Sequence, residues 1–294
     1  MDTPSPPAAR VRFPAGFAAR VAAFAEARLA ERRTPREDFA ESGARVAAGS
    51  GEFAGRRRYR PGDDLRAFDW EAFARGAGEL VRLSRRESGE RWAVLLDASA
   101  SMAVGAPEQA PKLQLAAELA LACCAAQLFA GGEVTLATRR GVRVFRSRAD
   151  FPRAAAELDG LECAGDTGFG EWLGSRPLAR ASRVILIGDL LDAEPAFPPA
   201  RRRVDAVGVL AAVELAPQGE LAPDERVQWR DPERASALDA RLSADAVARY
   251  AALLAEHHRR WRASTARTGG RLVIAKAGDS FESHALRLLR GPAA

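Results

Sequence analysis

Residues 91–97 read RWAVLLD. From Trp92 to Leu96 every side chain is apolar, with no in-and-out alternation, and the run stops abruptly at the carboxylate of Asp97. An unbroken apolar run of this length describes a strand buried on both faces, as the strands of parallel sheets are. Outward from it, such runs alternate with helical patterns. KLQLAAELALACCAAQLFAGG (112–132) is a long helix closing on a glycine pair. EVTLAT (133–138) and VRVFRS (142–147) form a hairpin, and FPRAAAELDGL (151–161) is a short helix with Pro152 in its first turn, where a missing N–H does no harm. RVILIGD (183–189) repeats the opening pattern and again ends at an aspartate, Asp189. VDAVGVLAAV (204–213) is a further buried strand. Residues 243–270 make a long helix with Ser243 as its N-cap, followed by the strand RLVIAKA (271–277) and a last helix through FESHALRLLR.

This alternation predicts an α/β domain over residues 91–294: a doubly wound, mostly parallel six-stranded Rossmann-like sheet with one antiparallel strand. Residues 1–90 predict an N-terminal extension packed on it, with one amphipathic helix at 17–33 and Gly- and Arg-rich irregular segments thereafter. Residues 214–242, with their Pro and acidic residues, read as a loop or small excursion. Within RPGDDLRAFDW (60–70), Pro61-Gly62 suits a type II turn. The Asp and Arg side chains around that turn pair with one another, while Phe68 and Trp70 anchor the segment to the α/β domain. The alternative is a partner-binding surface of Arg60, Asp63, Asp64, Arg66 and Asp69.

In sheets of this kind ligands sit beyond the carboxyl ends of the strands, where the strand order reverses. Asp97 and Asp189 both close apolar strands and therefore face one crevice. After Asp97 the pattern Asp-x-Ser-x-Ser adds Ser99 and Ser101, and the Gly-rich AGDTGFG (164–170) brings Thr167. All five are oxygen donors, which suit a hard divalent cation (Mg²⁺ foremost, with Mn²⁺ or Ca²⁺ as alternatives) and disfavour zinc or copper. With hydroxyls in direct contact and the aspartates holding waters, the ion stays partly neutralised. It then attracts an Asp or Glu from a partner protein. A competing reading makes Ser99 or Ser101 a helix cap and lets Asp189 stabilise a loop.

Composition bounds the rest. The 294 residues carry a net charge of +5, with 47% hydrophobic and 28% charged residues, which describes a folded chain and not a disordered one. LQLAAELALACCAAQLFA comes nearest to a membrane span, but Gln114, Glu118 and Gln127 interrupt it, so it reads as a core helix. The first residues hold no apolar signal-peptide core, and a cytoplasmic location is expected. Cys123, Cys124 and Cys163 fit neither a disulfide framework nor a zinc spacing and read as buried thiols. The arginine runs at 56–60 and 201–203 lie on no sustained basic face, so neither nucleic acid nor a membrane is the expected partner. There is no Gly-x-Ser-x-Gly elbow, phosphate loop or His-Glu-x-x-His, and no histidine is placed near the strand ends. The expectation is a protein that is not an enzyme. A metal-dependent phosphohydrolase and a basic nucleic-acid-binding protein are the alternatives.

LLDASASM, GDTG and LIGDLLD resemble the metal-ion-dependent adhesion site of the von Willebrand factor A-type domain. With GEFAGRRRYRPGDDLRAFDWEAFAR upstream and VQWRDPE downstream, the sequence is similar to the bacterial family catalogued as domain of unknown function 58. The resemblance implies a Rossmann-like von Willebrand factor A domain and a metal site at Asp97, Ser99, Ser101, Thr167 and Asp189. It also implies pairing with a MoxR-type AAA+ ATPase, hence a metal-dependent protein-interaction adaptor. Three positions depart from the family pattern: Gly188 stands where serine is frequent, Asp166 where glycine is common, and Phe73 where a small polar residue is usual.

Overall fold

The computed structural model describes residues 9–33, 52–61, 65, 68–85, 90–105, 110–166, 169, 172, 178–191, 202–215, 226–233, 236–241 and 243–290. Gly62, Asp63, Asp64 and Arg66, and the turn they were expected to shape, lie outside these residues. In chain order the elements are α1 (Phe17–Arg33), β1 (Glu52–Arg58), α2 (Trp70–Ala74), β2 (Leu80–Arg85), β3 (Arg91–Leu96) and α3 (Lys112–Phe129). They continue with β4 (Glu133–Thr138), β5 (Gly141–Phe145), α4 (Phe151–Leu158), β6 (Arg183–Gly188) and β7 (Arg203–Leu210). A helical turn at Ala212–Leu215, β8 (Arg226–Arg230), β9 (Ala237–Arg241), α5 (Ala244–Ala266), β10 (Leu272–Lys276) and α6 (Phe281–Leu289) complete the chain.

The central sheet has six strands in the order β10-β7-β6-β3-β4-β5. All neighbouring pairs are parallel except β4 and β5, which are joined antiparallel across Arg139-Arg140. Counted along the chain within this sheet, β3 comes first and β6 fourth. The order therefore turns back between β3 and β6, the place where an open α/β sheet leaves a crevice at its carboxyl edge.

The unalternating run of β3 is accounted for by burial from both sides. Trp92, Val94 and Leu96 join a core shared with α1, α3, α4 and α6, while Ala93 and Leu95 pack with Phe169, Leu178 and Trp261 of α5. The helix α3 lies at the centre of the first core: 14 of its 18 residues are buried. Its mean hydropathy would suit a membrane span, but its surface is spent on α1, α4, α6 and the sheet. The helix α1 docks on α3 through Phe17, Val21 and Ala25, with the Phe17 ring 5.4 Å from that of Phe281. Phe17 and Val21, withdrawn from water, contribute about 1.5–3 kcal/mol each.

Local signals recur where the sequence placed them. Ser243 caps α5 by accepting from the Ala246 amide at 3.2 Å, and Pro152 sits in the first turn of α4. Cys123, Cys124 and Cys163 are free and buried, and burial pushes the Cys123 thiol up to about 12. Two expectations are corrected. The stretch read as irregular holds an antiparallel ribbon, β1–β2, and the one read as a loop or small excursion holds another, β8–β9. Their sequences, EFAGRRR with LVRLSR and RVQWR with ALDAR, are too rich in charge to display an apolar period. Asp69 does pair with a nearby arginine, Arg56, and caps α2. Trp70, however, is 62% exposed and packs on Phe68, whose ring centroid is 4.6 Å away, and joins neither core cluster among the described residues.

Candidate metal-binding site

Asp97 follows the last residue of β3, and its amide donates to the Ile187 carbonyl of β6 at 2.8 Å. Since Leu96 stands opposite Ile187, Asp97 faces Gly188 and the strand-terminal Asp189 follows one residue later. The two carboxylates are thus at the carboxyl ends of adjacent parallel strands, at the point where the order reverses. A side chain at 188 has no room: a Cβ there would stand 2.8 Å from Asp97 Cβ, 3.0 Å from Phe169 Cζ and 3.1 Å from Asp97 Oδ2. Glycine at this position therefore lets the Asp97 side chain lie against β6. Gly188→Ser should push Asp97 off its seat and cost about 1–3 kcal/mol, read by urea unfolding. A loss below about 0.5 kcal/mol, the scatter of neutral substitutions, would mean that the crevice adjusts freely.

Beyond Asp97 the chain turns tightly. Asp97 Oδ1 accepts from the Ser99 amide at 2.8 Å, and the hydroxyls of Ser99 and Ser101 are hydrogen-bonded at 2.9 Å. Ser99 does occupy the position before a short 3₁₀ turn, Ala100–Ala103, but its side chain makes no capping bond there. The hydroxyls thus point at each other and not at a helix end. Thr167 lies outside the described residues. The segment leading to it runs along the Asp97 loop, with the Ala164 amide donating to Ala98 O at 3.0 Å and the Ala100 amide donating to Gly165 O at 2.9 Å. Asp166 is exposed.

Asp97 is 5% exposed and forms no ion pair among the described residues. Burial, augmented by the charges of Asp189 and Glu233, raises its pKa to about 7 against the lowering effect of the Ser99 amide. Asp189 is differently placed. Its Oδ2 accepts from Lys112 Nζ at 2.9 Å, and Oδ1 accepts from the Leu191 amide at 3.3 Å. The same ammonium donates to Glu214 Oε1 at 2.7 Å, and Glu214 Oε2 accepts from the Ala211 amide at 2.7 Å. Lys112 is fully buried. Leu190, between these groups, holds a φ of 55°, a left-handed conformation unfavourable for a side chain of its size.

A histidine does reach this edge, against the sequence expectation: His257 of α5 donates its Nε2–H to the Leu190 carbonyl. Sequence reading also missed Lys112, Glu214 and Glu233. For Lys112 a signal existed. Of 44 basic residues only Lys112 and Lys276 are lysine, so lysine here marks a place where a compact ammonium is used and not a guanidinium fork.

The structure thus brings Asp97, Ser99 and Ser101 together, sets Asp189 beside them in a separate ion pair, and leaves Thr167 undescribed. Among the described residues no three His, Cys, Asp or Glu side chains form a metal cage of their own. The donors that do converge are one carboxylate and two hydroxyls, an all-oxygen set that suits a hard ion retaining several waters. Among the described residues the buried Asp97 carboxylate has no ion-pair partner, and this is the observation that fits a cation, since a carboxylate so withdrawn from water takes up either a proton or a counter-charge. A family model described as a protein of unknown function, DUF58, matches residues 55–260. A search of curated proteins returns no match.

Proposed function

The chain belongs to the DUF58 family, and from that premise, with the strand-edge site, we propose a cytoplasmic, metal-dependent protein-interaction adaptor that is not an enzyme. In this reading the domain is of the von Willebrand factor A type, an identity supported by the strand order and its single antiparallel edge. A divalent cation, Mg²⁺ foremost, is held by Asp97, Ser99 and Ser101, with Asp189 near it and Thr167 as the remaining donor. One carboxylate and neutral hydroxyls neutralise the ion only in part. It therefore offers an open position to an Asp or Glu side chain of a partner protein, and a MoxR-type AAA+ ATPase is the partner the family resemblance favours.

The observation that carries this reading is the buried Asp97 carboxylate beside two mutually bonded hydroxyls, with no basic side chain among the described residues paired to it. A structural carboxylate at 5% exposure would be expected to have such a pair. The phosphohydrolase alternative lacks support at the site. His257, the histidine that comes near, spends its Nε2–H on a backbone carbonyl, and Lys112 is locked between two carboxylates.

A thermal-shift titration tests the cation directly. A ligand that binds only the folded state adds about 2.7 kcal/mol at a hundredfold excess over Kd. Mg²⁺ and Mn²⁺ are expected to raise Tm in the wild type and to leave the Tm of Asp97→Ala unchanged. A rise of equal size in both would remove the site. Recovery of the AAA+ partner from lysate should fall on adding EDTA. Equal recovery with and without EDTA counts against the adaptor, and phosphatase turnover with Mg²⁺ or Mn²⁺ counts for the alternative.

A further inference from the structure

Lys112 is the most constrained charge at the strand edge. It opens α3, it is 0% exposed, and its ammonium is bonded to Asp189 at 2.9 Å and to Glu214 at 2.7 Å. Nothing in the helix favours a cation there, because the amino end of a helix carries partial positive charge. The two carboxylates hold it in place. They do so from different elements: Asp189 from the end of β6, and Glu214 from the turn after β7, whose backbone carbonyl is in turn bonded by the Tyr250 hydroxyl of α5 at 2.7 Å. The ammonium therefore ties Asp189 to α3 and to the turn after β7 and neutralises it, whereas Asp97 has no such partner among the described residues.

We propose that Lys112 is a resident counter-cation of this site, competing with a divalent ion for Asp189 and keeping the free protein's hold on that ion weak. The inference rests on the cation reading above and adds a regulatory consequence to it. With Asp189 engaged by Lys112, the ion is bound by Asp97 and the hydroxyls alone, against the repulsion of a positive charge one carboxylate away. Tight loading then requires a further carboxylate from outside, so that ion and partner bind together and neither binds well alone. Lys112 is a positioning residue in this scheme. It sets which oxygens are free for the ion without touching the ion itself.

The test is a calorimetric titration of Mg²⁺ and Mn²⁺ into the full chain, its Lys112→Met variant and the double variant Lys112→Met with Glu214→Gln. The double variant removes the second carboxylate with the ammonium, so that only Asp189 is left without its partner and the fold is less burdened. Removing the positive charge bonded to Asp189 and freeing that acidic ligand should tighten binding by about tenfold or more. Binding that is unchanged or weaker in a folded variant overturns the proposal.

The chain's two lysines supply a second readout in the unmutated protein. With lysine-selective isotope labelling, the Lys112 side-chain signal should shift along the Mg²⁺ saturation curve, while that of exposed Lys276 stays fixed. A purely structural Lys112 would not move. The outcomes also separate the two readings. A wild type that binds Mg²⁺ with variants that bind no tighter sinks the role of Lys112 alone. Absence of binding in the wild type and in both variants sinks the cation reading with it. Binding that emerges only in the variants supports Lys112 as the competitor and overturns unaided loading of the wild-type site.

Discussion

In EDTA, the wild-type protein should lose stability relative to an Asp97→Asn variant as the pH rises from about 4 to about 7, and Mg²⁺ should cancel that loss. The sign follows from the raised pKa of Asp97, 3.8 ordinarily and about 7 in the fold, with burial as the leading cause. Between those values the folded state holds a proton that the unfolded state has released. Stability falls with pH wherever the folded state binds more protons, so the slope is negative through this window and flat above it. At about 1.36 kcal/mol per pH unit the full penalty is about 4 kcal/mol. It is absent below the unfolded value and complete above pH 7.

A cation reverses the trend, because a metal ligand must be deprotonated to bind. Stabilisation by Mg²⁺ should grow with pH across the same window and level off above it. Urea unfolding at half-unit pH intervals, with EDTA and with Mg²⁺, gives both curves. The quantity of interest is the difference between wild type and Asp97→Asn, since carboxylates that do not interact with Asp97 cancel in it. A difference that does not change with pH would show that Asp97 finds an internal counter-charge, and the cation reading would lose its main support.

The legibility of this molecule from sequence divides along a physical line. Elements whose side chains meet the core were readable because burial dictates residue type. The run Trp92–Leu96, the long α3 and the serine at 243 each carry a signal that no tertiary partner alters. The ribbons β1–β2 and β8–β9 were not readable, since charged residues interrupt any apolar period in their sequences. At the site, Asp97, Ser99 and Ser101 were legible because they are contiguous and follow a recognisable strand. Asp189 was legible as a second strand end, but its partnership was not. Lys112 and Glu214 are 77 and 102 residues from the groups they bond, and such pairings are created only by the sheet order. Glu233, in the connection between β8 and β9, is the same case: it acts on Asp97 as a charge from far along the chain. The sequence alone gives no reason for glycine at 188; the reason is the 2.8 Å approach of Asp97 Cβ from the neighbouring strand to the position a Cβ would take.

The opposite edge of the sheet holds the other large effect. Arg183 and Arg203 open β6 and β7 directly across from each other, an arrangement of like charges that is destabilising by itself. Asp205 resolves it. At 0% exposure, it accepts from Arg183 Nε at 2.7 Å, from Arg203 Nε at 2.9 Å and from the Arg271 amide at 3.0 Å. The Arg183 guanidinium also donates to Leu288 O at 2.8 Å and lies 4.3 Å from the centre of the Trp92 ring. One carboxylate thus ties β6, β7, β10 and α6 together.

Asp205→Ala leaves the Arg183 guanidinium buried without its anion, a change of the kind that costs about 3–5 kcal/mol. Replacing both partners together, Arg183→Met with Asp205→Leu, should recover much of that loss, because the expense lies in the stranded charge and not in the missing attraction. Urea midpoints measure the stability, and the Mg²⁺-dependent Tm shift measures the site on the same samples. Asp205→Ala should lower the midpoint sharply while the Mg²⁺ shift of the folded fraction persists, since the cluster sits at the amino ends of the strands and the site at their carboxyl ends. A loss under about 1 kcal/mol would mean that Arg183 finds another anion or reaches water. Abolition of the Mg²⁺ shift in a still-folded Asp205→Ala protein would mean that the two edges of the sheet are coupled.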